Sequence, residues 1–173
     1  MLKLDYLEYA PSPNRSQRIG GTRPTYLIVH SMAGTYQGTK SWFLNPKSKV
    51  SAHFLVSKKG DLLKMVDPQM AAWHVKNFNS KSIGIEFEDM DIKSPLNCLT
   101  NPQWCTPAQL KAGAELAATL MRNYNIPIEH VIGHNDEMLR VLGNDHSDPG
   151  PHFPWDEFRK QIKGLLTDGK SGK

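Results

Sequence analysis

Three segments of this chain carry side chains able to bind metals or move protons near neutral pH. His30 closes an apolar, β-branched run, Tyr26-Leu27-Ile28-Val29. His134 follows Gly133 at the end of a second short run that begins at His130. His146 and Asp148 stand in a loop stiffened by Pro149, Gly150 and Pro151. Catalytic zinc takes three protein ligands, usually imidazole with carboxylate or thiolate, and keeps one position open. His30, His134 and Asp148 make such a set if the two strand ends are neighbours. The competing reading is a scatter of unrelated surface and core residues. A Gly-rich phosphate loop, a G-x-S-x-G elbow and an H-E-x-x-H pair are all missing from the sequence, which removes the chemistries they serve.

The elements that would position these groups follow from local pattern. Residues 11–24 hold Pro11, Pro13, Gly20, Gly21 and Pro24 and read as loop. Tyr26 to His30 reads as a buried central strand. A short helix is predicted from Thr39 to Leu44, before Pro46. Strands at Ala52–Ser57 and Leu62–Val66 flank Lys58-Lys59-Gly60-Asp61, a hairpin signal. Ser82 to Glu88 alternates: Ile83, Ile85 and Phe87 take one face, and Ser82, Gly84, Glu86 and Glu88 the other. A helix starts at Thr106, with Pro107 at its first position and Gln109 completing a capping box. Its apolar stripe runs through Leu110, Leu116, Leu120 and Tyr124. A strand at His130–Gly133 and a helix at about Pro154–Leu166 complete the pattern. Strands come mostly first and helices later, which predicts a single α/β domain with a central mixed sheet flanked by α-helices.

Composition bounds the function classes. The chain has 173 residues, 39% hydrophobic and 22% charged, values that suit neither a disordered chain nor a coiled coil. No stretch approaches the roughly 20 apolar residues of a membrane span, so membrane insertion is not expected. A net charge of +4 favours acidic partners but is too small to indicate nucleic acid. Met1 to Pro13 carries Asp5 and Glu8 and no apolar core, so no secretory signal is expected and the protein is read as made in the cytoplasm. Cys98 and Cys105 do not have zinc-site spacing and are expected as free thiols.

The motifs YLIVHS (26–31), AHFLV (52–56), Trp73-His74, SIGIE (82–86), TPAQL (106–110), Gly133-His134 and DPGPHFPW (148–155) fall in one order along residues 26–158. In this the chain resembles the zinc-dependent N-acetylmuramoyl-L-alanine amidases of type 2. Those enzymes share their fold with peptidoglycan recognition proteins and include many phage endolysins. The resemblance implies a peptidoglycan-recognition-protein-like fold and one zinc per chain, held by His30, His134 and Asp148. It implies that Glu86 is the catalytic acid; Glu88, on the same strand face, is either a rival or an ordinary solvated edge carboxylate. It also implies bacterial peptidoglycan as partner. Where many members carry Lys, this chain has His146, whose imidazole can donate the same hydrogen bond to an oxyanion.

On that resemblance, residues 25–166 form the catalytic domain. Residues 1–24 are an extension packed on it, and 167–173 a flexible tail or linker start. Trp73 and His74 match a groove-lining region, His74 as a peptide contact or as packing. His53 is read as a hydrogen-bonded core residue or a further groove contact. Asn135 and Asp136 are placed to orient His134. The insert Met138–Asp145 is either a groove wall or a neutral surface loop. The expected protein is a monomeric endolysin domain, made in the host cytoplasm and acting on the bacterial wall. The alternatives are a non-catalytic wall-binding module and a cytosolic amidase recycling muropeptides.

Overall fold

The computed structural model describes residues 2–90 and 97–168. The strands and α-helices among them, in chain order, are β1 (Glu8–Tyr9), β2 (Arg15–Gln17), β3 (Tyr26–Ser31), α1 (Tyr36–Leu44), β4 (Phe54–Val56), β5 (Leu62–Lys64), β6 (Met70–Ala72), β7 (Ser82–Phe87), α2 (Pro107–Tyr124), β8 (Val131–Gly133), α3 (Glu137–Val141) and α4 (Trp155–Asp168). Six strands build one mixed sheet in the order β1-β5-β4-β7-β3-β8, and β2 pairs with β6 in a separate ribbon. Only β4 and β5 run antiparallel in the large sheet; the other neighbours are parallel.

Strand parity decides what each face buries. Leu27, Val29, Ile83, Ile85, Phe87, Phe54 and Val56 turn to one side, where α2 and α4 cover them with Leu116, Leu120, Phe158 and Ile162. Each such side chain taken out of water contributes about 1.5–3 kcal/mol. The opposite face carries two smaller clusters. Phe43 of α1 packs with Leu55, Leu63 and Met65. Leu139 of α3 packs with Ile28, Phe78 and Ile132. The gap between these clusters leaves room for polar side chains from the ends of β3 and β7.

The α2 capping box forms as its sequence requires: Thr106 accepts from Gln109 N, and the Gln109 side chain accepts from Thr106 N. The helix closes at Asn125, in the left-handed region at φ 56°.

Three expectations need correcting. Residues 11–24 are not all loop, because Arg15–Gln17 pair antiparallel with Met70–Ala72. The Pro and Gly residues punctuate this stretch, but the three residues between them keep free backbone donors. Helix α1 starts at Tyr36, ahead of the expected Thr39, because the Thr35 side chain accepts from Gly38 N and caps it there. Helix α4 runs through Asp168, so Thr167 and Asp168 belong to it rather than to a tail. The rest of the expected tail, residues 169–173, lies outside the described residues. The first 24 residues add an edge strand, β1, beside β5. Among the described residues no helix is long and apolar enough to cross a membrane.

Candidate active site

The parallel register places the site. Val29 pairs with Gly133, so His30 and His134 leave adjacent strand ends, and His134 N donates to Val29 O at 3.1 Å. His30 is also the register partner of Glu86 on β7. Three neighbouring strands therefore deliver two imidazoles and a carboxyl to one end of the sheet, on the face opposite α2.

Asp148 arrives from the Pro-rich loop, and a close approach holds that loop down. Its carbonyl accepts from Asn135 N at 2.9 Å. A Cβ on Gly133 would meet Pro149 Cδ at 2.8 Å, so only glycine lets the loop sit against β8. Asp148 Oδ2 then lies 3.0 Å from His30 Nδ1, and Oδ1 lies 3.2 Å from His134 Nδ1. The three ligand atoms offered by His30, His134 and Asp148 all fall within 4.8 Å of one another. Two imidazole nitrogens and one carboxylate oxygen form a donor set that suits zinc.

The electrostatics follow from burial and crowding. Burial opposes ionisation of Asp148, yet hydrogen bonds from His134 and His30 hold its carboxyl well below the usual carboxylate range. Burial lowers His30 below an ordinary imidazole, against the pull of Asp148. Burial, then the charges of Asp148 and Asp89, push the Glu86 carboxyl well above its usual range. Glu86 Oε2 is buried and has no hydrogen-bond partner among the described residues. A carboxyl in that setting is matched to taking up a proton and giving it back.

His146 stacks on His134 with ring centroids 3.9 Å apart and 16° between planes. Its Nδ1 lies 3.6 Å from Asp148 Oδ1, and its side chain is 57% exposed, which leaves it open to a substrate. An open groove of about 700 Å³ runs over these groups, with Trp42, Lys49, Trp73, Lys76 and Asn144 on its walls.

Several sequence expectations change here. Glu88 is not a rival to Glu86. Its two carboxylate oxygens accept from Tyr36 N (2.7 Å) and Lys58 N (2.8 Å), which ties α1 to the β4–β5 turn. Nor is it a solvated edge carboxylate. His53 is no substrate contact, since it is fully buried. Its Nδ1 accepts from Gly84 N at 2.9 Å, and its Nε2 lies 3.1 Å from Met70 O. His74 borders the groove, but both its ring nitrogens are engaged inside the protein, with His30 and Ser82. Trp73 does line the groove, with Nε1 donating to Ser16 Oγ at 3.2 Å. Asp136 does not orient His134: its side chain accepts from Met138 N and caps α3. Asn135 acts through its backbone, on Asp148. The Met138–Asp145 insert is both packing and wall, since Leu139 is buried while Asn144 and Asp145 reach the groove.

Sequence reasoning missed Trp42, Lys49 and Lys76, which reach the groove from segments with no motif of their own. It also passed over Ser82 and Gly84, although parity had placed both on the Glu86 face. Cys98 and Cys105 are free thiols, Cys98 on the groove wall.

A family model described as N-acetylmuramoyl-L-alanine amidase matches residues 20–151. N-acetylmuramoyl-L-alanine amidase A of Achromobacter lyticus is 28% identical over 173 residues, covering 89% of this chain and 92% of its own length. The 1,6-anhydro-N-acetylmuramyl-L-alanine amidase AmpD of Salmonella typhimurium is 28% identical over 180 residues, covering 88% of each. The crystal structure of a selenomethionine AmpD derivative has a TM-score of 0.74 at 24% identity, covering 94% of this chain and 99% of that one. That last likeness is one of fold.

Proposed function

Because the chain belongs to the N-acetylmuramoyl-L-alanine amidase family, we propose that His30, His134 and Asp148 hold one zinc ion, with Glu86 and His146 as its catalytic partners. The enzyme hydrolyses the amide bond between N-acetylmuramic acid and L-alanine in peptidoglycan. One observation carries the residue assignment. Two Nδ1 atoms and a carboxylate converge within 4.8 Å, beside a buried carboxyl and under an open groove.

The donor set and its spacing fit zinc, which when bound supplies Lewis acidity and lowers the pKa of water. The chain's own residues do the rest. Glu86 takes the proton of the attacking water and returns it to the leaving amine nitrogen. His146, exposed above Asp148, donates a hydrogen bond to the oxygen that gains charge as the carbonyl becomes tetrahedral. Trp73 offers an aromatic wall to the stem peptide. One chain supplies every one of these groups, which supports a monomeric enzyme.

The finer reading is a wall-lytic, endolysin-type activity, supported by an open groove and a net charge of +4 suited to the anionic wall. The deciding experiment is mass spectrometry of purified peptidoglycan digested with and without chelator, run beside soluble anhydro-muropeptides. Free stem peptides with an N-terminal alanine, lost with chelator, are the expected products. Turnover of soluble fragments with intact walls untouched would replace the lytic reading by muropeptide recycling. Wall binding without release would leave only a binding module.

A further inference from the structure

A neutral imidazole carries one N–H, so each hydrogen bond it makes fixes what its other nitrogen can do. His30 Nε2 lies 2.9 Å from His74 Nδ1. His74 Nε2 lies 3.1 Å from Ser82 Oγ, and Ser82 Oγ donates to Phe78 O at 3.0 Å. The other end of the chain is Asp148 Oδ2, 3.0 Å from His30 Nδ1; with a metal taking the lone pairs of both, the directions follow from the carbonyl outward. The Ser82 hydrogen goes to Phe78, so Ser82 accepts from His74 Nε2–H. His74 Nδ1 is then bare and accepts from His30 Nε2–H. His30 Nδ1 keeps its lone pair, pointed at the ligand cluster.

We propose that Ser82 and His74 form a positioning relay that holds the His30 proton on Nε2 and so keeps its Nδ1 free to bind the metal. The relay rests on the zinc reading given above. Run in reverse, Ser82 Oγ would point a lone pair at the Phe78 carbonyl oxygen 3.0 Å away. His74 would carry its proton on Nδ1, and His30 would be left with a proton on Nδ1, where it can serve Asp148 but no metal.

Two further features of the fold serve this arrangement. A Cβ on Gly84 would lie 2.6 Å from His74 Nδ1 and 2.8 Å from Cγ, so the His74 ring fills space over β7 that only glycine leaves open. The segment between His74 and Ser82 is also clamped at both ends. His74 N and Val75 N both donate to Asn79 Oδ1, at 2.9 and 2.8 Å. The buried Arg18 guanidinium donates to the carbonyls of Asn79, Ser80 and Ser82. Ring orientation is thus set from outside the ligand shell, where such partners commonly change metal affinity 10- to 100-fold.

The test pairs a spectroscopic reading with a metal-binding one. Long-range proton–nitrogen correlation NMR on the zinc-loaded wild type reads the His74 tautomer directly; a proton on Nε2 is expected, and a proton on Nδ1 overturns the relay. Competition of Zn2+ against a chromophoric chelator then compares wild type with Ser82→Ala and Gly84→Ala. Both variants should bind zinc roughly 10- to 100-fold more weakly. A Ser82→Ala protein with native circular dichroism and zinc affinity within about twofold of wild type would refute the proposal. If the variants do not fold, the wild-type tautomer decides alone. A wild type that takes up no zinc would sink the metal assignment instead, whereas a zinc-loaded protein with the proton on His74 Nδ1 would sink the relay alone.

Discussion

His53 offers a quantitative test of how the fold treats a buried titratable group. Its Nδ1 accepts from Gly84 N, which leaves the single proton of the neutral ring on Nε2, facing Met70 O. Protonating Nδ1 would set one N–H against another inside β7, with the Arg18 guanidinium 3.3 Å from Nε2. Burial, then the Arg18 charge, lower its pKa from 6.5 to about 3. The folded value lies below the unfolded one, so the unfolded chain binds the extra proton first. The stabilisation is complete above pH 6.5 and is lost as pH falls from there toward 3. At about 1.36 kcal/mol per pH unit, the step from pH 7 to pH 5 removes about 2 kcal/mol. The perturbation is His53→Gln, whose amide can replace both hydrogen bonds but does not titrate. Urea unfolding of both proteins in chelator, at pH 7 and pH 5, cancels the histidines and carboxylates they share. Wild type should lose about 2 kcal/mol more than the variant over that interval. Equal losses would refute the assignment of a forced-neutral His53.

Other outcomes follow from the same geometry. Glu86→Gln should lower kcat about 10²- to 10⁴-fold while zinc content, read by elemental analysis, stays at the wild-type level. Chelator should abolish hydrolysis and added zinc restore it. Iodoacetamide at pH 7.5 should leave the rate unchanged, because burial pushes the Cys98 thiol up to about 11 and the Cys105 thiol up to about 12. Gly113→Ala should destabilise the fold by about 1–3 kcal/mol in a thermal melt, because the new Cβ would run into the Phe87 ring.

Much of the scaffold was legible because it is written in local patterns. The alternation of SIGIEF put Ile83, Ile85 and Phe87 on one face, and the structure buries that face in one core cluster with Leu116 and Leu120 of α2. The Thr106–Gln109 capping box starts α2 where the sequence said it would. Both depend on residues within a few positions of one another. The β2–β6 pairing was not legible, because Arg15–Gln17 find their partners more than fifty residues away. Separation along the chain also hid Glu88: nothing near it in sequence shows that its carboxylate ends on the backbone donors of Tyr36 and Lys58.

The sequence alone determined which chemistry is available: two strand-terminal histidines, an aspartate in a stiffened loop, and a glutamate on the right face of an alternating strand. Only the tertiary structure decided how that chemistry is organised. Parallel pairing of β3 with β7 and β8 brings His30, Glu86 and His134 together, and the absence of a side chain at Gly133 lets Asp148 join them. It also divided the remaining histidines, sinking His53 into the core, turning His74 inward onto His30, and leaving His146 open to the groove. A residue type sets which protons and lone pairs a side chain owns. Where they point depends on partners that the chain meets only after folding.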